Sequence, residues 1–207
     1  MTKEQRQMRE REEMKKLILQ AAGQLITAEG IEKLSIRKIA EMIEYSPGII
    51  YHYFQGKEDI IEQYLQQKYQ QMLTGLRSVM RDGQQELPPE EVLKQSLQQF
   101  IRMSLSMGLE YRNVMLGDSP AILSHTAVLF KGAAQERQAI GMLCQCLGRI
   151  ESMQNQEKAY VELTAQVIWS AAFGLIMRLT VEKHLPEEQV EALIDRYLDS
   201  MVTIATR

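Results

Sequence analysis

Apolar residues along this chain recur three and four positions apart, the spacing of one helix face, and almost nowhere in the strict alternation of a strand. Met14, Leu17, Ile18, Ala21, Leu25 and Ile26 form one such stripe, and Gly30 follows as a C-cap glycine. Ile36, Ile39, Ala40 and Ile43 repeat the pattern directly after Ser35, whose hydroxyl suits an N-cap. Ser46 is a second cap, and Pro47 fits the first position of another helix. That segment is too short to stand alone, so Ile50 and Phe54 must anchor it to the helix before it. A long helix is then predicted from about Lys57 to Met80, closed by Asp82 and Gly83. Further helices follow over about 89–106, 108–116, 119–150, 157–183 and 186–205. Gly132 and Gly141 leave 119–150 as either two helices or one kinked one. With β-branched runs rare and only 12 glycines and 5 prolines, the expected fold class is all-α.

The short segment after Pro47 is poor core material on its outer side. Ser46, Pro47, Gly48, Tyr51 and His52 carry small or polar-tipped side chains and no apolar stripe. Such a surface suits a DNA major groove, where small residues allow close approach and polar tips reach bases or phosphates. Lys57 opens the next helix, whose unpaired N–H groups and positive dipole end offer a phosphate site.

On these residues the chain is similar to a known family. SIRKIAEMIEYSPGIIYHYFQGKEDII resembles the helix-turn-helix signature of TetR-type bacterial regulators, and KKLILQAAGQLITAEG resembles the family's first helix. The likeness covers about the first third of the chain. It implies an N-terminal three-helix helix-turn-helix DNA-binding domain, residues 1–57, and a larger helical effector-binding and dimerisation domain, residues 58–207. It also implies a homodimer. Carried onto this sequence, it puts Ser46, Pro47, Gly48, Tyr51 and His52 in the groove, and Ser35, Arg37, Lys38 and Lys57 on backbone phosphates. Two positions depart from the pattern. The turn position that is usually glycine is Glu44, which strains or reshapes the turn, and a position often occupied by threonine is Ile49, which removes a hydroxyl.

Charge supports DNA contact through the N-terminal part alone. The net charge is −3, yet residues 1–57 hold ten Lys or Arg against eight Asp or Glu, while the rest hold 14 against 19. Residues 1 to about 14 mix both signs and read as a solvated tail, a frayed extension of the first helix, or an arm toward the minor groove. The start lacks an apolar secretion signal, and no apolar stretch approaches the ~20 residues that span a bilayer, so a cytoplasmic protein with no membrane partner is expected. Cys144 and Cys146, two apart on a helix, point in nearly opposite directions and read as structural thiols. The three histidines lie in separate segments and none of the common catalytic or nucleotide-binding motifs is present, so neither an enzyme nor a cofactor or metal is expected.

The C-terminal helices carry two further expectations. The 157–183 and 186–205 helices are apolar over more than one face, so each must bury a second side. In the family the equivalent pair forms a four-helix bundle with its copy. That assigns Ile168, Ala171, Ala172, Leu175, Leu198, Met201 and Val202 to a dimer interface. A two-fold dimer would read near-palindromic double-stranded DNA. Phe100, Met103, Met107 and Tyr111, with Trp169, Phe173 and Met177, suggest a pocket for a small, mostly apolar effector. The expected function is a transcriptional regulator, a repressor released from its operator by that effector. The alternative is a constitutive DNA-binding architectural protein of the same fold, which a filled C-terminal core would favour.

Overall fold

The computed structural model describes residues 2–83, 87–182 and 184–207, residues 81–83 by their backbone alone. Met1 and Lys183, which end two of the expected segments, lie outside the described residues. All regular structure among the described residues is helical. The helices are α1 (Lys3–Glu29), α2 (Ile36–Met42), α3 (Pro47–Ile50), α4 (Lys57–Gly83), α5 (Pro89–Met107) and α6 (Leu109–Met115). They continue as α7 (Pro120–Thr126), α8 (Ala133–Glu136), α9 (Gln138–Leu147), α10 (Glu151–Gln154), α11 (Lys158–Val181) and α12 (Glu187–Thr206).

The chain forms two compact units, residues 1–69 with 109–126, and residues 70–108 with 127–207. The boundary expected at residues 57 and 58 falls at the start of α4, whereas the units change over inside that helix. In the first unit Ile18, Ala22 and Ile26 of α1 pack with Ile39, Ile50 and Phe54, all at most 2% exposed. Val114 of α6 and Ile122 of α7 close the same core. Leu17 is not part of the α1 stripe: it is 38% exposed, and Ala22 takes the inward place. Gly30, at φ +92°, ends α1 as expected, in a conformation that an L side chain rarely adopts. The charged N-terminal segment is ordered helix. Thr2 and Gln5 form a reciprocal capping box, and Arg6–Glu10 and Arg9–Glu13 make exposed i, i+4 pairs along it.

In the second unit α11 packs against α5, α9 and α12, and α12 packs against α5. The 119–150 stretch is three helices, because polar side chains fix the chain between them. Glu162 accepts the N–H groups of Gly132 and Ala134 at 2.8 and 2.9 Å, which caps the start of α8. Gln166, buried, donates to the carbonyls of Val128 and Phe130. Arg137 donates from Nε to the Ala127 carbonyl at 2.9 Å. One expectation about membranes is corrected: α11 is long and apolar enough, by length and composition, to cross a bilayer. Its apolar content is divided here between the unit's own core, through Ile168, Ala172 and Ile176, and an exposed face described below.

Candidate nucleic-acid interface

The helix-turn-helix is built from α2, a tight turn and α3. Ser35 caps α2, its hydroxyl accepting the Lys38 N–H at 3.3 Å, while Ile39 and Ala40 point inward and Arg37 outward. The turn depends on Glu44, whose φ of +59° is the only positive value at a non-glycine among the described residues. The reversal lets the Tyr45 N–H reach back to the Ala40 carbonyl at 2.9 Å. Pro47 opens α3 as expected, but Ser46 beside it makes no side-chain cap, and its carbonyl accepts the Ile49 N–H instead. Beyond Ile50 the chain tightens into three-residue turns, with N–H donations from His52 to Ile49 and from Tyr53 to Ile50.

That geometry separates the segment into two sides. Ile50 and Phe54 are buried at 0% and 2% exposure and tie it to the core. Ser46, Pro47, Gly48, Tyr51 and His52, the set expected to face the groove, are all exposed. Ile49 is half-buried.

The residues expected on phosphates are less free than their charges suggest. Lys38 donates to Glu29 at 2.5 Å, and this hydrogen bond is the main reason the Glu29 carboxyl is held below the usual carboxylate range. Lys57 is steadied by a 3.3 Å bond to the Glu32 carbonyl. The start of α4 is not an open anion site, since Glu58 and Asp59 occupy its first turn. The Asp59 carboxylate already accepts the Gln55 N–H at 2.8 Å and the Gln63 amide at 2.7 Å. Arg37 is exposed. Arg11 stands over the Tyr53 ring at 5.7 Å and brings the charged part of α1 beside the end of the reading segment.

A polar knot that sequence reasoning missed fixes α4 to α6. The Tyr64 hydroxyl donates to Glu110 Oε1 at 2.5 Å, and Lys68 Nζ approaches the same oxygen at 2.8 Å. Burial, then the Glu110 carboxylate, pushes the Tyr64 hydroxyl well above its ordinary pKa, so it stays a donor. A Cβ at Gly23 would lie 2.8 Å from the Tyr64 ring, so α1 needs glycine there for α4 to approach. Asn113 of α6 completes the join by donating to the Ile26 carbonyl at 2.9 Å.

The residues expected around an effector do not form one group. Phe100 and Trp169 line a cavity of about 40 Å³ with Leu76, Met80, Met142 and Cys146. Trp169 stacks on Phe173 with ring centroids 5.5 Å apart. Met103 packs its tip against Gly75, and Met107 and Met177 are half-buried outside the cavity lining. Tyr111 is buried in the first unit. Burial pushes the Cys144 thiol up to about 11 and raises that of Cys146 too, which leaves both protonated at neutral pH.

The expected dimer residues divide in the same way. Ile168, Ala172, Leu198 and Met201 are sealed inside this chain at 0–7% exposure. Ala171 is exposed, and Leu175 and Val202 are half-buried. The outward face of α11 consists instead of Tyr160, Leu163, Val167, Ala171 and Gly174, with Leu163 at 61% and Val167 at 56% exposure. A Cβ at Gly174 would meet open space. Leu193 and Ile204 are the exposed large apolar residues of α12.

Residues 18–64 match the model of the bacterial regulatory proteins, tetR family. No curated protein matches the sequence. Among solved structures, a TetR-family transcriptional regulator from Syntrophomonas wolfei is 19% identical, with a TM-score of 0.71 over 95% of this chain and 96% of that one. The fatty acid degradation regulator FadR from Bacillus halodurans is 18% identical, with a TM-score of 0.66 over 90% and 97%. FadR from Bacillus subtilis, in complex with stearoyl-CoA, is also 18% identical, at 0.65 over the same shares. Residues 18–64 are therefore a helix-turn-helix domain of the tetR type with an exposed outer face, in a chain that shares its all-helical fold with TetR-family transcriptional regulators.

Proposed function

We propose that the protein is a dimeric transcriptional repressor that binds near-palindromic DNA through α3 and is released by a small, mostly apolar effector. The observation that carries the reading is the division of the α3 segment, with Ile50 and Phe54 buried and Ser46, Pro47, Gly48, Tyr51 and His52 exposed. Polar tips on a short, firmly anchored segment suit base edges, while Ser35, Arg37, Lys38 and Lys57 surround it with backbone contacts. Lys38 exchanges Glu29 for a phosphate in this scheme. The second copy docks on the apolar face of α11, through Leu163, Val167, Ala171 and Gly174 rather than through the residues closed inside the core. Two copies then present two reading segments at once, and the spacing between them governs release.

The effector reading draws on the apolar lining of the cavity and on FadR from Bacillus subtilis, whose structure contains stearoyl-CoA. One observation favours the alternative, a constitutive DNA-binding architectural protein. About 40 Å³ is far below the roughly 300–1,000 Å³ of a ligand pocket, so the core is nearly filled. Selection of a randomised DNA pool by the purified protein tests the proposal. A palindromic consensus supports a sequence-specific dimer. Salt-sensitive binding without a consensus overturns it in favour of the architectural reading.

A further inference from the structure

Two openings in the second unit share a wall. The first is the cavity of about 40 Å³ among Leu76, Phe100 and Trp169. The second is an open groove of about 750 Å³ with Thr74, Arg77 and Ser78 of α4 on one side and Gln138 and Gln145 of α9 on the other. Met80 and Met142 line both, so two methionine side chains stand between an apolar slot and a polar groove. Among the described residues that line the groove, Arg77 is the one charged group. It is exposed and donates through Nη2 to the side-chain oxygen of Gln138, a neutral partner, at 2.7 Å. The neighbouring hydroxyls are already committed as donors, Thr74 to the Gln70 carbonyl and Ser78 to the Gly75 carbonyl, each at 2.8 Å.

We propose that this double opening takes an amphiphilic monocarboxylate, its unbranched tail passing between Met80 and Met142 into the cavity and its carboxylate resting on the Arg77 guanidinium. The inference rests on the sensor reading above and names the ligand class for it. A guanidinium offers a planar fork that fits a carboxylate through two parallel bonds. A single such group matches a single negative charge, whereas a polyphosphorylated head would bring charges with no described partner. The tail needs room that the present cavity lacks, since a water-sized volume is about 30 Å³. Methionine supplies it, because an unbranched side chain with three rotatable bonds can swing aside at small cost. Met80, Leu76 and Arg77 all stand on α4, so ligand entry displaces the helix whose earlier residues Ile60 and Tyr64 belong to the DNA-binding unit's core.

Calorimetry on the full chain with octanoate, decanoate, 1-decanol and decanoyl-CoA tests this. Decanoate is expected to bind, with about a fourfold gain per added methylene between octanoate and decanoate. Decanol should bind about tenfold more weakly, the loss of one charge-assisted contact. Arg77→Gln should bring decanoate down to the level of decanol and leave decanol unchanged. Equal binding of acid and alcohol to the unaltered protein, or tighter binding of the thioester than of the acid, overturns the head-group assignment. Binding by none of the four overturns the site. Met142→Trp, which plugs the passage, should abolish chain-length dependence, and Met142→Leu, a milder change, should retain it; dependence that survives Met142→Trp in a folded protein also overturns the site. DNA binding measured beside these titrations keeps the two readings apart. Decanoate that binds as described but leaves DNA affinity unchanged overturns the release mechanism and upholds the site.

Discussion

α3 and α11 each have an inside and an outside, and they fill the outside with opposite chemistry. In the α3 segment, Ile50 and Phe54 go in while Ser46, Tyr51 and His52 stay out. In α11, Ile168, Ala172 and Ile176 go in while Leu163, Val167 and Ala171 stay out. Both inner sets are apolar, so burial alone does not separate the two roles. The outer sets do. Polar tips flanking a four-residue helix gain little by being covered with another apolar surface, and they remain hydrated until a polar partner displaces the water. Exposed leucine and valine at helical spacing leave apolar area in water, and a dry contact relieves it. Length follows the same division. A helix as short as α3 cannot hold itself and must be positioned by its neighbours, whereas the 24 residues of α11 can offer a straight face several turns long.

The largest effect should come from removing what positions the shorter element. Phe54→Ala takes away one of the largest fully buried side chains of the first unit and should cost about 3–5 kcal/mol, read from denaturant unfolding. DNA binding should fall with it even though Phe54 faces away from the reading surface. A loss under about 1 kcal/mol would mean that the segment is held by something other than its aromatic anchor. Next comes the contrasting face. Leu163→Glu combined with Val167→Glu puts two charges on the exposed side of α11 and should leave the monomer folded. Sedimentation should then report monomer, and DNA affinity should drop by about a hundredfold because the two reading segments no longer arrive together. Dimers that persist in the double variant would move the interface elsewhere.

The DNA-binding unit was far more legible in the sequence than the second unit, for a physical reason. Caps, a turn and a first-position proline act within a few residues, so Ser35, Pro47, Ile50 and Phe54 declare their places locally. Even Glu44 is visible as an oddity, though its φ is not. The second unit depends on which of several apolar faces meets which neighbour, and periodicity cannot rank faces of a helix that is apolar nearly all round. Ile168 and Ala172 were therefore expected at an interface, yet they lie in the core. Leu163 and Val167 follow the same spacing, and they form the outer face instead. The break after α7 rests on Glu162 and Gln166, 28 to 38 residues away from the backbone groups they hold, which no local pattern announces. The inclusion of α6 in the first unit depends on Glu110 and Asn113 in the same long-range way.

Smaller effects separate positioning from reading on the α3 side. Lys57→Ala should weaken binding to all DNA sequences about equally and lower the slope of affinity against salt by roughly one contact. His52→Ala should instead change which sequences are selected, and an unchanged preference would remove His52 from base reading. Glu29→Gln releases Lys38 and should strengthen binding at low salt, an effect that fades as salt screens it. The sign with pH agrees. Because its folded pKa is depressed, the Glu29 contribution to stability is present above the ordinary carboxylate range and is lost as pH falls through the lowered value, where Lys38 is freed without mutation.

The smallest expected change concerns the turn itself. A left-handed backbone costs an L residue about 1 kcal/mol, and Glu44 bears that strain at φ +59°. Glu44→Gly removes the steric part but adds flexibility to the unfolded chain, so the net gain should be about 0.5 kcal/mol, or a rise of one to two degrees in Tm. The same change deletes a negative charge within the helix-turn-helix and should favour DNA at low salt. Glu44→Gln distinguishes the two contributions, since glutamine removes the charge but keeps the Cβ and the long side chain that make the left-handed region costly. If both variants bind DNA more tightly but only the glycine variant melts higher, Glu44 is strained in the turn and repulsive toward DNA. If neither melts higher, the strain is relieved by the hydrogen bond that follows the turn, from Tyr45 to the Ala40 carbonyl, and the turn owes its shape to that bond rather than to the residue at its bend.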